Sequence, residues 1–177
     1  EHAPSIEGAW VLDLSRSETM HRYLEISGVP AKGIEAHVIA ERSHGGLNLI
    51  QLDQDSLTIY KQTYANNFTE SFVIGEEKST HDSATGTWKS SVVSIITSDP
   101  SGYVQSTRGT LSLGGNEAHT REARYVTEGG LSHVQEINLR NLVTGQDCVT
   151  TRVWQRVLMT HEHRATLALL TVSQPAR

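Results

Sequence analysis

"VTTRVWQRV", residues 149–157, alternates as a β-strand does: Val149, Thr151, Val153, Gln155 and Val157 share one face, and Thr150, Arg152, Trp154 and Arg156 the other. A face that sets arginines beside a tryptophan is either ordinary surface or the lining of something. Which side is inside decides what this strand completes.

Similar runs fill the chain on the N-terminal side of it. After residue 46, short β-type runs recur with turn residues between them: LNLIQLD, LTIYKQTYA, TESFVIGEE, GTWKSSVVSIIT, YVQSTRGTLSL, AHTREARYVT, LSHVQEINLRNLV and CVTTRVWQRVL. The separators are rich in Gly, Pro, Asn and Asp, as in Asp53-Gln54-Asp55, Asp99-Pro100-Ser101-Gly102, Gly114-Gly115-Asn116, Glu128-Gly129-Gly130 and Thr144-Gly145-Gln146-Asp147. Many short strands joined by short turns predict an all-β barrel or sandwich in which sequence neighbours pair antiparallel. An early strand, AWVLDLS, precedes them. Between it and the rest lies a helical stretch. Ser15 and Glu18 have the spacing of a capping box, Met20, Tyr23 and Leu24 fall on one face, and Gly28 and Pro30 stop it. A second short helix follows Pro30, with Ile34 and Val38 one turn apart and Gly45-Gly46 at its end.

Composition narrows the functions. A chain of 177 residues suits one domain with a core of its own, and a net charge of −5 without a long basic run gives no footprint for nucleic acid or for a membrane surface. The longest apolar stretch, ATLALLTV at 165–172, is too short to span a bilayer. The single cysteine, Cys148, allows no internal disulfide, and the first residues show no secretory pattern, so a cytosolic location is expected. Asn67-Phe68-Thr69 has the form of a glycosylation acceptor, a tripeptide that chance often supplies. His81-Asp82-Ser83 are consecutive, whereas a catalytic triad is assembled in space. His161-Glu162-His163 would set both imidazoles on one side of a strand, short of a ligand set for a metal, and reads better as a solvated turn. No phosphate-binding glycine loop is present, and no cofactor or metal is expected.

Several stretches, in order, resemble the intracellular lipid-binding proteins, the fatty-acid-binding and cellular retinoid-binding family within the calycins. Gly8-Ala9-Trp10 is similar to that family's opening Gly-Thr-Trp, and YLEISGVP at 23–30 to the end of its first helix. NNFTESFVIGEE at 66–77 resembles its Asn-Thr-Glu-hydrophobic-Ser-Phe segment without the final Phe, ARYVTEGGL at 123–131 its late hairpin, and CVTTRVWQRV at 148–157 its closing strand. The resemblance runs from about Ile6 to Leu158. It implies a ten-stranded antiparallel up-and-down β-barrel over residues 1–158, a helix-turn-helix lid bearing Met20 and Leu24, and a non-enzymatic carrier of a hydrophobic or amphipathic small molecule, such as a fatty acid or similar carboxylate. Residues 159–177 are then a C-terminal extension that packs on the barrel or on a partner. A monomer is expected, with this tail as the candidate contact for a dimer.

The resemblance also assigns a head-group site. The family's two inward arginines fall on Arg124 and Arg152, and its tyrosine falls on Trp154, which can donate only from the indole nitrogen. Thr150 shares the face of Arg152 and Trp154, and Thr120, Glu122 and Val126 share that of Arg124. On the next strand the inward set is Leu131, His133, Gln135, Ile137 and Leu139. A buried arginine demands an anion, and two are open: the carboxylate of a ligand, or Glu122 acting as an internal partner. Two other functions stay beside the carrier. The barrel can be filled by side chains and serve as an interaction module, or His133 and Glu122 can be the acid/base pair of an enzyme on this scaffold.

Overall fold

A computed structural model describes residues 5–82, 87–96, 104–113 and 116–172, with side chains over 5–79 and 117–170. The turns at 99–102 and 114–115, the side chain of Trp88 and those of His81-Asp82-Ser83 lie outside the described residues. The elements are β1 (Gly8–Leu12), α1 (His21–Ile26), α2 (Ala31–His44), β2 (Leu47–Leu52), β3 (Ser56–Gln62), β4 (Asn67–Val73), β5 (Glu77–Asp82), β6 (Thr87–Ile96), β7 (Val104–Leu113), β8 (Asn116–Thr127), β9 (Ser132–Asn141), β10 (Asp147–Val157) and α3 (His161–Val172). Every ladder is antiparallel, and the order across the sheet is β4-β3-β2-β1-β10-β9-β8-β7-β6-β5.

Consecutive strands pair with the exception of β4 and β5, which do not pair, contrary to the expectation for sequence neighbours, and the first strand pairs the last, Ala9 with Val157 and Leu12 with Trp154. The sheet is strongly curled. Asn48 on β2 and Arg124 on β8 are four strands apart, about 19 Å on a flat sheet at about 4.8 Å per strand. Yet the amide oxygen of Asn48, oriented to satisfy its neighbours, stands 3.1 Å from Arg124 Nη1. At the two ends of the order, β4 and β5 are joined by residues 74–76, and Lys78 Nζ on β5 donates to the Ser71 carbonyl on β4.

The buried face answers the opening question: Thr150, Arg152 and Trp154 point inward, while Val149 on the opposite face is exposed. Two apolar clusters occupy the interior. One joins Ile6, Trp10, Leu12, Ile50, Leu57, Ile59, Phe72, Val126 and Trp154; the other joins Ile26 of α1 to Ala118 and Leu139, with Tyr23 and Cys148 packed against them. Burial pushes the Tyr23 hydroxyl up to about 12. Along β8, β9 and β10 the inward residues between the clusters are polar apart from Ile137, and they build the site described below.

Several expectations are corrected. Ser15 and Glu18 form no capping box. Ser15 Oγ donates to Asp13 Oδ1 at 2.6 Å, and Glu18 exchanges hydrogen bonds with the Thr151 backbone, its Oε2 accepting from Thr151 N at 2.7 Å. The segment is thereby tied to β10, and α1 starts only at His21 with no side-chain cap. EKSTHD, too polar to show a half-buried alternation, is strand β5. Leu131 is 64 % exposed because it still belongs to the turn, with αR angles, and inward alternation starts at His133. His161-Glu162-His163 is neither strand nor turn but the first turn of α3, which packs on β2. The ladder partners Ala9 and Leu49 belong to the outer face, yet each is only 1 % exposed, and Leu49 lies on the strand against which this helix packs.

Candidate functional site

Alternation along three neighbouring strands brings the site together. On β8 the inward residues run Ala118, Thr120, Glu122, Arg124, Val126; on β9 they run Leu139, Ile137, Gln135, His133; on β10 they run Cys148, Thr150, Arg152, Trp154. The register sets Arg124 opposite Gln135, and Gln135 opposite Arg152. The middle of the interior is therefore a polar belt between two apolar ends.

Arg124 is fully buried and anchors the belt. Its Nε donates to Glu122 Oε1 at 2.9 Å, and its Nη1 reaches His133 Nε2 and the Asn48 amide oxygen, each at 3.1 Å. An arginine can only donate, so His133 Nε2 accepts and its ring proton sits on Nδ1. Burial, with Arg124 and Arg156 nearby, holds the His133 imidazole well below the usual histidine range, which keeps it neutral. Glu122 Oε1 also accepts from Gln135 Nε2 at 2.9 Å, and Gln135 Oε1 accepts from the Trp154 indole at 3.0 Å. His133 lies between two indoles, edge-on to Trp10 at 4.5 Å and stacked on Trp154 at 5.9 Å between ring centres. Arg124 Nη2 and His133 Nδ1 are buried donors with no hydrogen-bond partner among the described residues.

Arg152 is held by different groups. Its Nη1 donates to the Glu18 carbonyl at 2.7 Å, and its Nη2 pairs with Glu41 Oε2 at 2.5 Å. Glu41 comes from α2, three residues beyond Val38 and so on the inner side of that helix. His37, one turn before it, places Nε2 3.7 Å from the same carboxylate and Nδ1 3.0 Å from the Tyr64 hydroxyl in the β3–β4 turn. A cavity of about 330 Å³, near the lower end of the range for small-molecule pockets, is lined by Met20, Glu41, Asn48, Lys61, Tyr64, Arg124, Gln135, Ile137, Arg152 and Trp154 among others.

Of the residues expected at the site, Arg124, Arg152, Trp154, Gln135 and Met20 line this cavity. Glu122 and His133 stand behind Arg124 and hold it from the side. Thr150 is buried near Cys148 and Leu24 is half-buried on α1, and neither is among the lining residues. Glu122 and His133 each bond to Arg124, not to one another, an arrangement that ties both to a cation and gives no support to an acid/base pair. Reasoning from strand alternation missed Glu41 and Asn48. Glu41 had a signal, since it continues the stripe of Ile34 and Val38 around α2, whereas nothing local marks Asn48. No group of three or more His, Cys, Asp or Glu among the described residues could hold a metal ion.

No family model matches this sequence. No curated protein matches it either. Solved structures do. A structure titled "REP1-NXSQ fatty acid transporter" superposes with a TM-score of 0.58 at 21 % identity, over 86 % of this chain and 96 % of that one. A Schistosoma mansoni fatty acid binding protein in complex with arachidonic acid superposes with a TM-score of 0.56 at 18 % identity, over 85 % and 95 %. The fold is that of the fatty-acid-binding proteins, as the resemblance in the sequence implied.

Proposed function

We propose that this chain binds a hydrophobic or amphipathic small molecule inside the curled sheet, which acts as a barrel, and carries it in the cytosol without catalysis. The observation that carries the reading is the cavity beside the polar belt, with two buried arginines and an indole on its wall and Leu12, Met20 and Ile137 among its apolar lining. The fatty-acid-binding proteins that share the fold lend it support. In this reading α1 and α2 form the lid. Met20 and Glu41 line the cavity, and the helices interrupt the chain between β1 and β2, where a ligand would enter.

Native mass spectrometry of the purified protein tests it. A lipophilic compound should be retained at one copy per chain, and after delipidation a long-chain amphiphile should rebind with the same stoichiometry. Protein that neither retains nor rebinds any such compound would point to the filled-barrel interaction module.

A further inference from the structure

The site carries its own counter-ions. Among the described residues, three cations line the cavity, Lys61, Arg124 and Arg152, and each is met by a carboxylate of the chain. Lys61 Nζ lies 2.9 Å from Glu70 Oε2, Arg124 Nε 2.9 Å from Glu122 Oε1, and Arg152 Nη2 2.5 Å from Glu41 Oε2. A ligand carboxylate arriving there would bring a further negative charge into a low-dielectric space already balanced. It would either sit beside Glu122 or Glu41 and be repelled, or displace one of them and leave it half-buried without its cation. Two buried arginines are thus present without a net attraction for an anion.

The donors left over have a different use. Arg124 Nη2 belongs to a fully buried side chain that lines the cavity, and it has no hydrogen-bond partner among the described residues. A carbonyl or hydroxyl oxygen can accept from it without adding charge, and all three ion pairs stay intact. The indole of Trp154, where the related fold's tyrosine would offer a hydroxyl, is already committed to Gln135 and adds only apolar surface.

We propose that the site, given the carrier reading above on which this rests, selects an amphiphile whose head group is an uncharged hydrogen-bond acceptor, an alcohol or ester, over the matching carboxylate, with Arg124 Nη2 as the donor. Dodecan-1-ol, methyl dodecanoate and dodecanoic acid are compared at pH 8, where the acid is ionised, by displacement of the neutral fluorophore Nile red. The alcohol and the ester should bind at least about tenfold more tightly than the acid, a difference of about 1.4 kcal/mol. In Glu41→Gln and Glu122→Gln, where one guanidinium loses its internal partner, the acid should gain at least tenfold relative to the alcohol. Acid binding as tight as, or tighter than, that of the neutral pair in the unmodified protein overturns the proposal and leaves the carrier reading standing. An unchanged ratio in both folded variants also overturns it, because the carboxylates would then not set the preference. Failure of all three compounds to bind removes the carrier reading itself. The comparison in the unmodified protein decides the matter even where a variant does not fold.

Discussion

Arg156 is the residue on which the two ends of the barrel meet. Its Nε donates to the Gly130 carbonyl at 2.6 Å, Nη1 to Glu7 at 2.8 Å and Nη2 to Ser5 at 2.6 Å, while the guanidinium lies 4.2 Å over the Trp10 ring. Gly8 makes this possible, with φ at +139° and the place of its absent Cβ only 2.6 Å from Arg156 Nη1. Gly8→Ala should therefore lower stability by roughly 2 kcal/mol in urea denaturation. The same substitution should cost distinctly less in an Arg156→Ala background, because part of the penalty is the collision itself. Additive costs would mean that the backbone angle alone requires glycine. At His133 the expectation concerns pH. Its folded value lies well below that of the unfolded chain, so below about pH 6.5 the unfolded state binds the extra proton and stability falls with pH. Between pH 7.5 and 5.5 the unmodified protein should lose about 1.4 kcal/mol more than His133→Gln does. Parallel curves would show that the imidazole is not held neutral. Alternation made it legible that Arg152 and Trp154 share a face, while their inward aim, like that of Arg124, was implied by the family resemblance. The choice between a ligand's carboxylate and the chain's own was only half legible, since Glu122 sits two residues from Arg124 while Glu41 reaches Arg152 from 111 residues away.

Among the elements, α2 is lightly held for its length. It buries only Ile34, its N-cap Pro30 offers no side-chain bond, and the Glu41–Arg152 pair is its polar tie to the sheet. Amides of Ala31–His44 should exchange with solvent faster than those of β8, β9 and β10, and faster still in Glu41→Gln. Equal protection of helix and strands would argue against a mobile lid. For α3 the expectation is the reverse of an idle tail. Truncation after Leu158 should leave a cooperative unfolding transition, because all the ladders end before it, but should lower stability by roughly 2 kcal/mol as Leu49 loses its cover. A transition unchanged by the truncation would show that the helix contributes no packing. These two elements also mark the limits of pattern reading. Pro30 and Gly45 bracket α2 in the sequence as they do in the fold, with Gly45 at φ +65°. ATLALLTV, by contrast, is apolar on too many sides to reveal its helical period, and EKSTHD on too few to reveal a strand.

At the scale of the molecule, the local patterns specify a meander but not its closure. Short turns account for each pairing from β2 onward, whereas nothing near Gly8 or Val157 in sequence says that these strands are neighbours; only the likeness of Gly8-Ala9-Trp10 to a family opening implied it. That closure has a consequence in time. Ala9 pairs with Leu49 on one side and with Val157 on the other, so during synthesis β1 gains its first partner early and its second only when β10 has emerged. At roughly 5 to 20 residues per second the wait is on the order of ten seconds. Through that interval Trp10 lacks the guanidinium that will cover it. A ribosome-bound chain halted before Asp147 is expected to be cut rapidly by protease around β1, and one extended well past Val157 to resist. Protection of β1 in the halted chain would show that β2 alone suffices. The yield of folded protein should therefore depend on how fast the ribosome travels from the second strand to the last, a quantity set by codons and not by any contact in the finished barrel.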